Sequence, residues 1–402
     1  MREPAEDSRG APGAAAGTWP ASVGTVLREW GRIGVTGFGG PPAHIALLRR
    51  LCVEGRGWLD ADEFEDAIAA CNLLPGPAST ELAIFCAWRV RGRLGAVVGG
   101  LAFIVPGLII ILALSALFLA GTPPLWVRGA GAGAGAAVAA VAVQAGWSLL
   151  TPSWKRASAR EPVRISRLRW ALYLLAGEAA SATIGPWLVL VLLGCGVLEV
   201  SLRRVPWRPA AVPGIAPLFP AALNGGLLAA VAWTAFKVGA LSFGGGFVII
   251  PLMRADAVGH GWMTSAQFLN AVALGQITPG PVVQTVSAVG YAAAGLPGGL
   301  LAAVVAFSPS FAFVLAGGRH FSALRTNRAA QAFLDGAGPA AIGAIYGAAD
   351  LLARALSVGW QFAVLAGAAV LLLALRRGVV LTLLSAAAAG VIIALAGGPM
   401  PR

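Results

Sequence analysis

The chain has 402 residues, 58% of them hydrophobic and 11% charged, with a formal net charge of +12. Together with a mean hydropathy of +0.79, this excludes a soluble globule and indicates an all-α polytopic membrane protein. The positive charge sits in short loops between apolar runs, the pattern of cytoplasmic loops, so lipid rather than nucleic acid is the expected large partner.

Residues 1–18 are rich in Ala, Gly and Pro and lack an apolar core run, which reads as a disordered tail and not a signal peptide. A first half follows over residues 19–202. Its segment 21–48 is interrupted by glycines, and segment 64–88 is broken at Pro75-Gly76-Pro77. A long apolar run over 94–121 comes next, then three more at 129–150, 168–182 and 185–202. Residues 203–217, with four prolines, form a linker. The second half, 218–402, repeats the order: 218–253, 268–291 broken at Pro279-Gly280-Pro281, 297–317, 332–352, 358–375 and 378–395. About twelve spans are expected.

The two halves are homologous. Phe38, Gly39 and Gly40 return 205 residues later as Phe243, Gly244 and Gly245. Trp58, Phe64 and the first Pro-Gly-Pro return after 204 residues, and Pro106 returns as Pro309 after 203. Gly and Pro interrupt helices. Interruptions at matching places in two halves point to a transporter with its site at the repeat interface. The basic loops differ between the halves. Arg89, Arg91 and Arg93 follow the first Pro-Gly-Pro segment, whereas the matching loop of the second half has no Lys or Arg, and Arg319, Arg325 and Arg328 come one span later. If basic loops stay cytoplasmic, the halves are inverted repeats.

The breaks do not by themselves name the solute, but an anion inside a bilayer would need hydrogen-bond donors and positive potential. A helix broken in the membrane supplies both at the new half-helix N-terminus. Gly admits the anion close to the backbone, and Pro starts a helix at a position that has no N–H partner to lose. The candidate binding residues are therefore Gly39, Gly40, Pro41, Pro75, Gly76 and Pro77, with Gly244, Gly245, Gly246, Pro279, Gly280 and Pro281. Ser79, Thr80 and Thr278 offer hydroxyls, and Gln276 offers an amide beside the second break. The alternative for the Gly and Pro positions is close helix packing and simple kinking.

Arg32 and Lys237 each precede a Phe-Gly-Gly by six residues inside apolar sequence. They read as a symmetric pair of anion ligands or as snorkelling residues. Glu81, four residues after Pro77, is a candidate proton carrier. A carboxylate there repels an anion until protonated, and the expectation is proton antiport. A dipole-stabilised first-turn Glu is the alternative. His44 is a second candidate for proton relay, or a structural residue. Glu178, Asp335 and Asp350 are further acidic residues within apolar segments, and Asn72 and Gln284 are polar residues at the breaks.

No metal or cofactor is expected. Cys52, Cys71, Cys86 and Cys195 lack ligand spacing, and the acidic run from Glu54 to Asp66 lacks that of a calcium loop. No hydrolase or nucleotide-binding motif is present, so an enzyme is not expected.

Phe38-Gly-Gly-Pro-Pro-Ala-His44, Leu74-Pro-Gly-Pro-Ala-Ser-Thr80, Phe243-Gly-Gly-Gly246 and Gly275-Gln-Ile-Thr-Pro-Gly-Pro281, in this order and spacing, resemble the chromate ion transporter family in its form with two tandem domains. The resemblance covers nearly the whole chain. It implies efflux of chromate across the bacterial inner membrane, driven by the proton motive force, and recognition of sulfate-like oxyanions. Glu81 departs from the pattern, which has Gln after Thr80. Uptake of sulfate or a related anion by the same fold, and an anion channel, are the alternative readings. The residues do not set the oligomeric state, a homodimer included.

Overall fold

The computed structural model describes residues 20–72, 76–119, 123–160, 162–183, 187–205, 226–242, 248–318 and 327–401. The expected tail, most of the linker, Pro75 and the Gly244-Gly245-Gly246 run lie outside the described residues.

The described residues form fourteen α-helices and no strand. In the first half these are α1 (Val23–Thr36), α2 (Pro41–Arg49), α3 (Ala61–Cys71), α4 (Ala78–Phe118), α5 (Leu125–Ser158), α6 (Val163–Thr183) and α7 (Leu188–Leu202). In the second they are α8 (Leu227–Ala240), α9 (Ile249–Gly259), α10 (Ser265–Ile277), α11 (Thr285–Gly317), α12 (Arg328–Arg354), α13 (Gly359–Ala369) and α14 (Val379–Leu395). Each helix of the first half thus has its counterpart seven places on. Three helical stretches, Ala78–Phe118, Leu125–Ser158 and Val282–Gly317, are long and apolar enough to cross a membrane by themselves.

The 41 residues of α4 are two helices joined by a sharp turn. Arg91 (φ −143°, ψ 22°) and Gly92 (φ 64°, ψ −155°) leave the helical region. Ala294 (φ −143°, ψ 27°) and Gly295 (φ 63°, ψ −155°) do the same in α11. The positive φ requires glycine at both turns. Across each turn the arms touch. The Gly95 α-carbon faces the Ala87 carbonyl in α4, and Gly290 and Gly298 lie against each other's carbonyls in α11.

The first arm of α4 also turns back along α3. Glu63, near the start of α3, pairs with Arg89, near the end of that arm. At about 1.5 Å per residue, a straight helix would hold these two residues roughly 40 Å apart. The Pro-Gly-Pro segment therefore enters the molecule and returns to the side it came from. The second arm of α4 then crosses.

The crossing arms of α4 and α11 run antiparallel. Gly100 meets the ring of Phe311, and Leu112 meets Gly299. Equivalent helices of the two halves thus point in opposite directions, as the loop charges predicted. Each crossing arm carries the matched proline. Ser308 Oγ donates to the Val305 carbonyl (2.8 Å), which Pro309 cannot serve.

Two groups of helices result. In one, α4 packs on α1 and α11, and α11 packs on α8. In the other, the halves exchange partners: α6 and α7 pack on α12, whereas α13 and α14 pack on α5. Small residues carry these contacts, as lipid-embedded helices require. Gly177 lies on the Ala340 carbonyl, Gly343 on that of Leu174, and Gly133 on that of Ala386.

Candidate functional site

The break of the first half ends in a buried N-terminus. Pro77 precedes Ala78 with no side chain capping the helix, and its carbonyl takes the amides of Thr80 (2.8 Å) and Glu81 (3.1 Å). Thr80 and Glu81 are fully buried. The Glu81 carboxylate folds back against the Gly76 α-carbon, and Ser310 of α11 reaches the same point, 3.6 Å from where a Cβ at position 76 would sit. Both Glu81 oxygens, Thr80 Oγ1 and Ser310 Oγ are without a hydrogen-bond partner. Buried polar atoms in native proteins are nearly always paired, so this group of four is a receptive spot.

The Gly-Gly-Pro-Pro entry of α2 differs from the expected cradle. Gly39 (φ 101°) and Gly40 (φ 73°) have left-handed backbones. Pro41 and Pro42 have no N–H, and the amides of Ala43 and His44 both bond to the Gly40 carbonyl. The first turn of α2 therefore has no donor to spare; among the described residues the amides of Gly39 and Gly40 make no backbone hydrogen bond. His44 is fully buried. Its Nε2 donates to the Gly37 carbonyl (2.9 Å), so Nδ1 accepts from Ser79 Oγ (3.2 Å). Phe103 meets the ring edge-on at 5.0 Å. Both nitrogens are committed, and they tie the first Gly loop to the start of α4. The Ser79 hydroxyl is used in the same tie.

In the second half Gly280 (φ 95°) donates its amide to the Gly37 carbonyl of the first (3.0 Å). The Pro279 carbonyl and the Gln284 side chain fill the space that a Cβ at Gly107 would need, and Gln284 Nε2 donates to the Ile104 carbonyl (2.7 Å). The Thr278 hydroxyl donates back to Leu274 (3.0 Å) and that of Thr285 to Val282 (2.8 Å). Gln276 is buried with its amide nitrogen unpartnered, as are the hydroxyls of Ser242 and Ser287.

The two breaks are thus crossed. Each seats on the proline kink of the other half's crossing arm: Gly76 beside Ser310, next to Pro309, and Gly280 beside Gly107, next to Pro106. The second contact is closed by Gln284. The first leaves the side chains of Glu81, Thr80 and Ser310 buried without hydrogen-bond partners.

The two basic candidates stand apart from this cluster. Arg32 has a side chain 78% exposed and lies 4.0 Å from Glu29. Lys237 donates to Asp256 Oδ2 (2.6 Å), the oxygen that also accepts from Thr234 Oγ1 (2.7 Å). Among the described residues no Lys or Arg pairs with the groups at Gly76 or Gly280, and the neighbouring His44 ring is committed to Gly37 and Ser79, so an anion there would meet amides, hydroxyls and helix dipoles. Of the acidic candidates, Asp335 bridges Arg160 (2.6 Å) and Arg203 (3.0 Å), Asp350 pairs with Arg354 (2.7 Å), and Glu178 is half-buried on α6.

Two cavities flank the α5–α12 pair at opposite ends. One, of about 700 Å³, is lined by Asn72, Arg156, Arg160, Asp335 and Ile345. The other, of about 350 Å³, is lined by Arg128, Gln267, Asn270 and Gln361. The larger one reaches the first Pro-Gly-Pro break at Asn72, and its two arginines are balanced by Glu65 and Asp335, whereas Arg128 of the smaller one faces no acid among the described residues.

Sequence reading missed Ser310 and Asp256. A signal existed for Ser310: it follows Pro309, whose match to Pro106 places it opposite Gly107. Asp256 had none, because its partner lies on another helix and its counterpart in the first half is apolar.

A family model described as "Chromate transporter" matches residues 24–200 and 229–391. A chromate transport protein of Pseudomonas aeruginosa is 31% identical over 341 residues, covering 81% of this chain and 80% of that protein. One of Cupriavidus metallidurans is 31% identical over 354 residues, 85% of either chain. An uncharacterized transporter of Bacillus subtilis is 41% identical over 85 residues, 21% of this chain and 43% of that protein. No solved structure matches the chain.

Proposed function

The chain belongs to the chromate transporter family, and we propose that it exports chromate, or a tetrahedral oxyanion like it, across the bacterial inner membrane. The observation that carries this reading is the crossed pair of breaks. Helix N-termini and glycine backbone meet at the interface of two inverted halves, with unpartnered polar atoms around them. Gly76, Pro77, Thr80 and Ser310 would face the anion from one break, and Gln276, Thr278, Pro279, Gly280 and Pro281 from the other. The amides of Gly39 and Gly40 are the donors left at the first Gly loop. Glu81 couples transport to the proton motive force, whose electrical part already favours the exit of a dianion. Arg32 and Lys237 act outside this step, one at the surface and one as the partner of Asp256.

Energised everted membrane vesicles test the reading. They should accumulate chromate, lose it on addition of a protonophore, and accumulate less when sulfate competes. Vesicles that take up none, from cells whose intact form takes up sulfate, would instead favour the same fold working inward on sulfate.

A further inference from the structure

Glu81 has been given a role, but its surroundings also set the direction in which its proton travels. The carboxylate lies against Gly76 at the uncapped start of α4, the place an anion would occupy, with Thr80 Oγ1 on the same turn and Ser310 Oγ opposite. Among the described residues no charged group pairs with it. Cys71 on α3 is the titratable neighbour within electrostatic reach. His44 on α2 is committed to Gly37 and Ser79. The α1 charges Arg28, Glu29 and Arg32 group with one another and with Arg56. Facing α4 from the other half, α10 has no charged side chain and α11 has none, Tyr291 being its one titratable residue. The charges of α5 (Arg128, Lys155 and Arg156) lie near its two ends.

A negative Glu81 therefore acts on an incoming oxyanion in two ways, both adverse. It repels the anion, and it occupies the helix N-terminus where the anion would sit. Protonation removes both effects. Linkage is reciprocal, so a bound anion must strengthen proton binding at Glu81 by the same factor. The two ligands load together, and a carrier that moves when loaded with both, or with neither, is a cotransporter. We infer that Glu81 makes this protein carry one proton with each oxyanion in the same direction, with Ser310 and Thr80 completing the shared proton-and-anion pocket. This rests on the transport reading above and reverses the antiport expected from the sequence. Export of a dianion with one proton moves one net negative charge outward, so the electrical gradient drives it and the pH gradient opposes it.

The test uses the wild-type protein in energised everted vesicles, where the lumen is acid and positive. Nigericin with potassium removes the pH gradient and leaves the potential; valinomycin with potassium does the reverse. Cotransport predicts that nigericin raises steady-state chromate accumulation about tenfold per pH unit removed, and that valinomycin abolishes it. A fall with nigericin would mean exchange and overturn the inference while leaving chromate export standing. Stimulation by sodium at fixed pH, with no response to nigericin, would overturn it too. No accumulation under any gradient would remove the transport reading itself, and this inference with it. Glu81→Gln adds a second check: a variant that still transports should lose the nigericin response, and one that keeps it carries its proton elsewhere.

Discussion

Glu81 and Ser310 show how much of a site can depend on a missing partner. Their counterparts in the other half, by position, are Thr285 and Gly107, and there the space is closed by Gln284. The glycine that admits Glu81 is equally specific, because a Cβ at position 76 would collide with the carboxylate. Gly76→Ala should abolish chromate accumulation while leaving the amount of protein in the membrane near wild type, because the collision falls on one side chain and not on packed backbone. Lys237 gives the opposite kind of prediction. Removing one partner of a buried ion pair costs about 3–5 kcal/mol, whereas replacing both with apolar residues is often neutral. Lys237→Met should therefore lower the thermal stability of the detergent-solubilised protein, and Lys237→Met with Asp256→Leu should recover most of it. A double variant that is stable yet unable to bind chromate would return Lys237 to the anion site. The polar residues at the breaks were legible in the sequence because Gly and Pro announce a broken helix. Their partners were not, since Ser310 and Asp256 lie on other elements and no local pattern links them to Gly76 or Lys237.

The helices carry a second lesson in their turns. Gly92 and Gly295 adopt almost identical backbones 203 residues apart, and each folds a Pro-Gly-Pro arm back on a crossing arm. Apolar runs and prolines located these segments, with a basic loop over 89–93 between them, but left open whether the Pro-Gly-Pro segment crosses the membrane or turns back. What separates the two is the Glu63–Arg89 pair and the glycine contacts across the turn, long-range facts absent from hydropathy. Since the crossing arms of α4 and α11 are antiparallel, their starts lie on opposite faces of the membrane. Arg93→Cys should react with an impermeant maleimide only from the face bearing the basic loops, and Leu296→Cys only from the other. Equal labelling of both from one face would contradict the inversion.

The molecule as a whole is held by an exchange between its halves. The α6–α7 hairpin packs on α12 and the α13–α14 hairpin on α5, through backbone contacts that only glycine and alanine permit. Neither half can bury its last hairpin alone. Residues 1–205 and 226–402 expressed separately should each be degraded, and their coexpression should restore accumulation of both; a stable, monomeric first half would show the exchange to be dispensable. Repetition revealed two halves to sequence reading, but not that they interlock, because the glycines of α5, α6, α7 and α12 name no partner. The exchange also imposes a schedule on biosynthesis. About 125 residues separate the end of α7 from the start of α12, so at ~5–20 residues per second the ribosome needs roughly 6–25 s to supply the missing helix. For that interval α6 and α7 wait in lipid with Gly177 and Gly196 uncovered, and the newborn chain depends on membrane chaperones and on the pace of its own translation.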